Sequence, residues 1–400
     1  MPVTVYLDHA ATSPMPAAVR AAYLSALETA GNPSSIHSAG QSARALLDDA
    51  RTRIATTLGV DSVELTFTGG GTEAVNLGVK GLYWQARQAD ARRTRLLVPR
   101  AEHHATLDAV EWLAAHEGAT VTWLDVDADG VLLIDGPGGV AAALADASDV
   151  ALVTMLAANN EVGSVQPVAE VAALAAAAGV PLHVDAIAAY GQIDLAPLPA
   201  GVAALSISAH KVGGPVGVGA LVLRRGTEVV PLMHGGAQQR GRSGTMDAPG
   251  AWAFAVAAEA ASSELAARAA HKRALRDRLE AGIRAHVPQA VLHGTGAARR
   301  LPGTVHLTVP GCEGDSLLFL LDQAGFAVST GSACQAGVPE PSHVLLAMGL
   351  SAADARGALR VTLGPDTTVD EIDALLDALP VAVARAEAAG LAARTPTLGR

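Results

Sequence analysis

The chain has 400 residues and a formal net charge of −11, from 28 basic and 39 acidic side chains. Half of the residues are hydrophobic and 17% are charged, which fits a compact globular protein and excludes a disordered chain. The acidic balance argues against nucleic acid as a direct partner.

The sequence carries no sign of a membrane or secreted protein. No strongly apolar run reaches about 18 residues, and the N-terminus lacks the basic start of a signal peptide. The two cysteines, Cys312 and Cys334, form neither a disulfide framework nor a zinc motif. We therefore expect a cytoplasmic protein with no metal site and no membrane partner.

The first part of the chain alternates between strand-like and helix-like segments. The strand-like runs are ELTFT (64–68), RLLVP (95–99), TVTWLDV (120–126), VALVTML (150–156), PLHVDA (181–186), ALSIS (204–208) and GALVLR (219–224). Helical patterns between them cover 40–58, 72–89, 104–117 and 165–178. This rhythm predicts a large α/β domain over residues 15–250, with a mostly parallel sheet covered on both faces by helices.

The remaining chain predicts a smaller α+β domain. A long helical pattern over 249–286 is followed by the strand-like runs TVHLTVP, FAVST and ALRVTLG, with helical patterns near 314–324 and 368–390. We expect residues 251–400, together with residues 1–14, to form this second domain.

The residues that follow the predicted strands are candidates for a binding site, because open α/β sheets bind ligands beyond the carboxyl ends of their strands. After ELTFT come Gly69, Gly70, Gly71 and Thr72, which open a helix. Glycines let the backbone approach an anion, and the free N–H groups and the helix dipole bind it. A tight turn capped by the threonine remains the alternative.

Two pairs of polar residues follow other strands. His103 and His104 come after RLLVP, and Asn159 and Asn160 come after VALVTML. Spacing alone does not decide between a structural role and a stacking or proton-transfer role for the histidines. Asparagine pairs are common turn formers, so their role also stays open on this ground.

Asp185 and Lys211 indicate a specific cofactor. A carboxylate at the end of a buried strand needs a cationic partner. Lys211 lies in the apolar, glycine-rich stretch SISAHKVGGPVGVGALVL, where lost hydration lowers the pKa of an amine and makes it a nucleophile. An anion-binding turn, a buried carboxylate and a buried amine on neighbouring strand ends predict a site for pyridoxal phosphate, with Lys211 as its Schiff base and Asp185 paired with its pyridinium nitrogen.

Ten motifs in chain order make the sequence resemble the cysteine desulfurases of the NifS/IscS type, within the class V aminotransferase family of fold-type I pyridoxal-phosphate enzymes. The motifs are YLDHAAT (6–12), GNPSSIH (31–37), FTGGGTEAVNL (67–77), EHHA (102–105), NNEVG (159–163), HVDA (183–186), SAHK (208–211), RSGT (242–245), STGSAC (329–334) and LRVTLG (359–364). The resemblance covers about residues 5–390 and implies the fold-type I architecture and a homodimer that converts L-cysteine to L-alanine.

The resemblance also implies roles for the cofactor-binding residues. Lys211 then moves the substrate α-proton, Asp185 pairs with the ring nitrogen, and His103 stacks on the ring and transfers protons. The phosphate is held by a group of five residues, the last of them from the partner subunit: Gly71, Thr72, Ser208, His210 and Thr245.

Four further residues concern the substrate and the sulfur. The resemblance implies that Arg360 and Asn32 bind the substrate carboxylate, and that Asn160 lies near the ring oxygen and the substrate. It implies that Cys334 attacks the sulfur of the bound substrate and becomes a persulfide. The recipient would be an iron–sulfur scaffold protein or a tRNA-thiolation protein. A buried structural cysteine is the alternative for Cys334, and it is the interpretation we favour for Cys312.

The sequence departs from the family pattern at the cofactor. Ala188 stands where the pattern VDA-x-Q has glutamine, which removes one hydrogen bond to the ring oxygen, worth roughly 1.5–3 kcal/mol. The stretch QQRGRSGT is one residue shorter than the common family pattern, and this difference affects the exact placement of Thr245. Two rival functions remain: a selenocysteine lyase, and a weakly active sulfur-relay paralogue, which Ala188 suggests.

Overall fold

The computed structural model describes residues 4–331 and 341–392, so Cys334 lies outside the described residues. The strands are β1 (Val5–Tyr6), β2 (Leu65–Thr68), β3 (Arg95–Pro99), β4 (Thr120–Leu124), β5 (Val150–Leu156), β6 (Leu182–Asp185), β7 (Val202–Ser208), β8 (Gly219–Leu223), β9 (Val291–His293), β10 (Thr304–Thr308), β11 (Phe326–Ala327) and β12 (Ala358–Thr362). The helices are α1 (Ala17–Leu27), α2 (Ser38–Leu58), α3 (Gly71–Ala89), α4 (His104–Glu117), α5 (Val140–Ala143), α6 (Val168–Ala177), α7 (Ala248–Ser263), α8 (Leu265–His286), α9 (Gly314–Gln323), α10 (His343–Ala347), α11 (Ala352–Ala355) and α12 (Val369–Ala392).

A seven-stranded sheet in the order β2-β8-β7-β6-β5-β3-β4 forms the centre of the larger part. Strand β8 runs antiparallel to both of its neighbours, and the other neighbouring pairs are parallel. The prediction of a mostly parallel α/β sheet is therefore confirmed.

Helices cover both faces of this sheet, which explains why its strands read as continuous apolar runs. Alternate residues of β3 enter different cores: Leu96 and Val98 pack with α3 and α4, whereas Leu97 packs on the face of α2, α6 and α7. Strand β5 is buried along all seven of its residues.

A second core lies in the C-terminal part. It packs residues of α8, α9 and α12 against β10 and β12, which belong to the antiparallel sheet β12-β10-β9. The N-terminal strand β1 pairs in parallel with β11, and Leu7 is buried in this second core. The division of the chain near residue 250 stays a prediction.

The single helical pattern over 249–286 is two helices. Helix α7 ends and α8 begins around Glu264, whose backbone leaves the helical region at φ −105° and ψ 8°. The two helices serve different cores, since α7 packs on α1 and α2 whereas α8 packs on α12. Apolar periodicity could not show this break, because the alanine-rich buried face of α7 is followed by the leucine- and isoleucine-containing buried face of α8.

Within the two described ranges, no helix combines the length and the apolar composition that a membrane crossing requires.

Candidate active site

A cavity of about 430 Å³ lies at the carboxyl ends of the central strands. Its volume falls in the range of small-molecule sites, roughly 300–1,000 Å³. Nine of the residues predicted from the sequence line it: Gly71, Thr72, His103, Asn160, Asp185, Ser208, His210, Lys211 and Arg360.

Lys211 lies in a short turn directly after β7. The turn reverses at Gly213, whose φ of +85° favours glycine. The Lys211 Nζ donates hydrogen bonds to the carbonyl oxygens of Ala10 at 2.6 Å and Ala11 at 2.9 Å. Burial, together with the positive charge of Arg360, lowers the pKa of Lys211 to about 8, so an appreciable fraction is neutral amine near neutral pH.

Asp185 ends β6, on the neighbouring strand. Its Oδ1 accepts a hydrogen bond of 2.9 Å from the Ile187 N–H. Burial raises the pKa of Asp185 to about 6, while that hydrogen bond and the charge of Lys211 act in the opposite direction. The carboxylate is therefore mostly ionised at neutral pH, and its negative charge is not fully balanced by a neighbouring positive charge. It is thus suited to pair with a positively charged ring nitrogen.

The N-terminus of α3 forms one end of the cavity. A Cβ on Gly71 would lie 2.4 Å from the Ile187 Cδ1 and 3.2 Å from the Ser208 Cβ, so this helix approaches β7 closely only because residue 71 is glycine. The Ser208 Oγ is buried there without a hydrogen-bond partner. The His210 Nδ1 lies 3.2 Å from the Thr12 Oγ1. Free helix N–H groups beside an unpartnered hydroxyl suit a phosphate.

His103 caps the start of α4. Its Nδ1 accepts a hydrogen bond of 3.1 Å from the Ala105 N–H, so the neutral ring carries its proton on Nε2. Desolvation and the positive charge of Lys211 lower the pKa of His103, which keeps the ring neutral.

Arg360 on β12 brings the C-terminal part of the chain to the cavity. Its Nη2 pairs with the Asp8 Oδ1 at 2.9 Å, and its Nη1 donates to the Asn160 carbonyl oxygen at 2.9 Å. The Nε is buried without a partner. The guanidinium group is thus held in place by two distant parts of the chain and still has donor capacity for a carboxylate.

Two predicted residues lie away from this cavity. Asn32 is exposed, and its Oδ1 accepts a hydrogen bond from the Ser34 N–H. Thr245 is also exposed, in the segment whose Arg242 forms an ion pair with Glu73. Their proposed roles, like that of Cys334, stay predictions.

The structure adds residues that sequence analysis missed. Ala10, Ala11, Glu161 and His343 also line the cavity. The motif YLDHAAT contains the two alanines. They contribute backbone carbonyl oxygens, which every residue has, so the residue type could not indicate that they line the site. The imidazole of His343 donates from Nε2 to the Glu102 carbonyl oxygen at 2.7 Å.

The comparisons with known proteins agree with the fold. The aminotransferase class-V family matches residues 5–375. An "IscS-like cysteine desulfurase" of Mycobacterium tuberculosis is 50% identical over 389 residues, which are 97% of this chain and 98% of that protein.

Two solved structures are similar as well. A "NifS-like protein" superposes with a TM-score of 0.86 at 33% identity, covering 96% of this chain and all of that one. "SspA in complex with cysteine" has a TM-score of 0.76 at 30% identity, covering 91% of this chain and all of that one.

The chain belongs to the class V aminotransferase family and, within it, to the NifS/IscS-type cysteine desulfurases. This is a family of pyridoxal-phosphate enzymes. The residues of this chain fit that cofactor, because the cavity holds an amine, a buried carboxylate and an unpartnered hydroxyl beside a helix N-terminus.

Proposed function

We propose that this protein is a cysteine desulfurase that converts L-cysteine to L-alanine and passes the sulfur to Cys334. The observation that carries the proposal is the placement of Lys211 and Asp185 on neighbouring strand ends of one cavity, which Arg360 also lines with donor capacity for a carboxylate. The family membership and the relative in complex with cysteine support it.

Pyridoxal phosphate, when bound, supplies an electron sink for negative charge at the substrate carbon atoms. Lys211 would hold the cofactor through its Nζ, and the lowered pKa of this amine suits it to accept and return the substrate α-proton. Asp185 would pair with the ring nitrogen, and His103, which lines the cavity and carries its proton on Nε2, would exchange protons with the substrate. Gly71, Thr72, Ser208 and His210 would bind the phosphate.

The sulfur transfer is balanced without an external oxidant or reductant. The Cys334 thiolate forms a bond to the substrate sulfur, and the bond between that sulfur and the β-carbon breaks. The electron pair stays on carbon, which takes up a proton to give the methyl group of alanine. The enzyme keeps the sulfur as a persulfide on Cys334, ready for an acceptor thiol.

The setting of the reaction is part of the proposal. A reducing compartment such as the cytoplasm keeps a cysteine thiol reduced, so that Cys334 is available to accept sulfur. We propose a homodimer, in which Thr245 of one subunit contacts the phosphate held by the other, and an acceptor protein that uses sulfur for iron–sulfur clusters or for tRNA thiolation. Asn32 joins Arg360 at the substrate carboxylate.

Reductive trapping tests the cofactor site directly. The sequence contains three lysines, Lys80, Lys211 and Lys272. Borohydride reduction of the loaded protein should leave the pyridoxyl group on the Lys211 peptide alone, and Lys211→Ala should abolish both the label and the visible absorbance. Labelling of another lysine, or none, would refute the proposed site.

Cys334→Ser separates the cofactor site from the sulfur acceptor. We expect a normal visible spectrum, a normal spectral response to L-cysteine, and loss of persulfide and of alanine formation, with Cys312→Ser as the matched control that retains both. Cys312 is suited to this because it is buried, and burial raises the pKa of its thiol to about 11. Full turnover of L-cysteine by Cys334→Ser would disprove the role of Cys334.

A separate assay with L-selenocysteine tests the rival function. If the wild type turns over L-selenocysteine alone, the protein is a selenocysteine lyase instead.

A further inference from the structure

A second, small cavity of about 30 Å³ adjoins the active-site cavity. Four residues line both cavities: Ala10, Asn160, Ala188 and Lys211. Ala188, which stands at the glutamine position of the family pattern VDA-x-Q, thus borders both cavities. About 10–15 Å³ is enough for one water molecule, provided that two to four polar groups face it.

Polar side chains with unused hydrogen-bonding capacity line this small cavity, among them those of Asn160, Gln192 and His9, whose Nδ1 is also buried without a partner. The Asn160 Oδ1 is buried and has no hydrogen-bond partner, which is costly for an acceptor. Gln192 also lines the cavity, and its Oε1 accepts a hydrogen bond from the Lys272 Nζ. Because an ammonium group can only donate, Lys272 fixes the orientation of this amide and leaves the Gln192 Nε2 free to donate elsewhere.

Lys272 is well suited to hold that amide. Its side chain is only 3% exposed, and the Gly303 backbone lies close enough that a Cβ there would be 3.1 Å from the Lys272 Cδ. The Lys272 ammonium group thus lies against the Gln192 Oε1 in buried surroundings, which sets the direction of the Gln192 donor.

We propose that the small cavity binds one water molecule between the Asn160 Oδ1 and the Gln192 Nε2, and that this water donates to the ring oxygen of the cofactor in place of the missing glutamine. The water accepts from Gln192 and donates one hydrogen to Asn160, which leaves its second hydrogen for the ring. Gln192, held by Lys272, is then a positioning residue. This inference rests on the proposed function, since it concerns a bound pyridoxal phosphate.

Crystal structures of the loaded wild type and of Ala188→Gln test the water itself. We expect density for a water within hydrogen-bonding distance of both the Asn160 Oδ1 and the Gln192 Nε2 in the wild type. In Ala188→Gln the introduced amide should replace that water. A well-ordered map that shows a dry cavity in the wild type would overturn the inference.

A double-mutant cycle tests the link to the cofactor without measuring activity. A donor to the ring oxygen stabilises its negative charge most after the chromophore has lost its proton. Gln192→Leu should therefore raise the midpoint of the pH-dependent absorbance change by about one pH unit, the size expected for one such hydrogen bond. In the Ala188→Gln background, Gln192→Leu should leave this midpoint unchanged. An equal shift of the midpoint in both backgrounds would contradict the proposal.

Controls separate this inference from the proposed function. Gln289→Leu, at an exposed glutamine, should leave the midpoint unchanged. A wild type that captures no cofactor would refute the proposed function, whereas normal capture with an unshifted Gln192→Leu midpoint would refute only the water. If Gln192→Leu does not fold, the two crystal structures decide the matter alone.

Discussion

Lys211 shows how far a single residue could be interpreted from the sequence. Its apolar, glycine-rich surroundings predicted a desolvated amine, and the structure places it in the cavity with a pKa lowered to about 8. The sequence did not predict its partners, the carbonyl oxygens of Ala10 and Ala11, which come from about 200 residues away.

This lowered pKa predicts how the stability of the cofactor-free protein depends on pH. Lys211 titrates near 8 in the folded chain and near its ordinary value of 10.5 in the unfolded chain. Between these values the unfolded chain binds more protons, so the free energy of unfolding rises with pH, by up to about 1.4 kcal/mol per pH unit. Denaturant titrations between pH 8 and 10 should show a shallower rise in Lys211→Met than in the wild type.

Two further variants calibrate that measurement. Burial also lowers the pKa of Lys272 to about 8, so Lys272→Met should lose a similar part of the slope. Arg92→Met removes a fully exposed cation and should keep the whole slope. An unchanged slope in Lys211→Met would mean that this amine is not desolvated in the folded protein.

At the scale of elements, helix α3 positions the phosphate end of the cavity by packing closely on the sheet. A Cβ on Gly78 would lie 2.5 Å from the His183 Cδ2. The ring of His183 cannot move aside, because its Nδ1 and Nε2 lie within 2.9 Å of the Thr154 and Ser206 hydroxyl groups. Gly78 thus allows the helix to contact the sheet closely, although glycine lowers the intrinsic stability of the helix.

Gly78→Ala tests this packing. Alanine improves helix propensity by about 1 kcal/mol. Overpacking costs about 1–3 kcal/mol, and displacing the His183 ring would break buried hydrogen bonds worth a similar amount. We therefore expect a net loss of about 2 kcal/mol in denaturant unfolding, together with weaker cofactor binding because the start of α3 shifts.

Gln88→Ala is the matched control on the same helix. Its side chain is exposed, so stability should change by less than about 0.5 kcal/mol. A neutral or stabilising Gly78→Ala would show that the helix can move away from the sheet without cost.

At the scale of the whole molecule, the active site is assembled from distant parts of the chain. Arg360 of the second core pairs with Asp8 and with the backbone of Asn160, which follows a central strand. Thr245 is exposed and does not line the cavity of its own chain, which is what a contribution to a partner subunit requires.

Complementation between two impaired variants tests this arrangement. Lys211→Ala should be inactive, and Thr245→Val should bind the cofactor more weakly. If Thr245 acts across a dimer, co-expression of the two variants with different tags yields mixed dimers with one intact site. These mixed dimers should recover cofactor loading and alanine formation at one site of two. Mixed dimers no better than Thr245→Val alone, or a monomeric protein, would contradict the proposal.

The sequence by itself determined the fold class, the positions of the central strands and of the helices between them, and the cofactor chemistry. These follow from local information: apolar runs of strand length, helical periodicity, and reactive side chains directly after strands. Hence Asp185, Lys211 and the turn at Gly71 were found before any contact was known.

Only the tertiary structure decided which groups meet. Three features show this: the break between helices near Glu264, the carbonyl partners of Lys211, and the hydrogen bond from Lys272 to Gln192. Each depends on residues far apart in the chain, or on backbone atoms that every residue has. Such contacts leave no periodic or compositional trace, because they are fixed by the packing of two cores against each other.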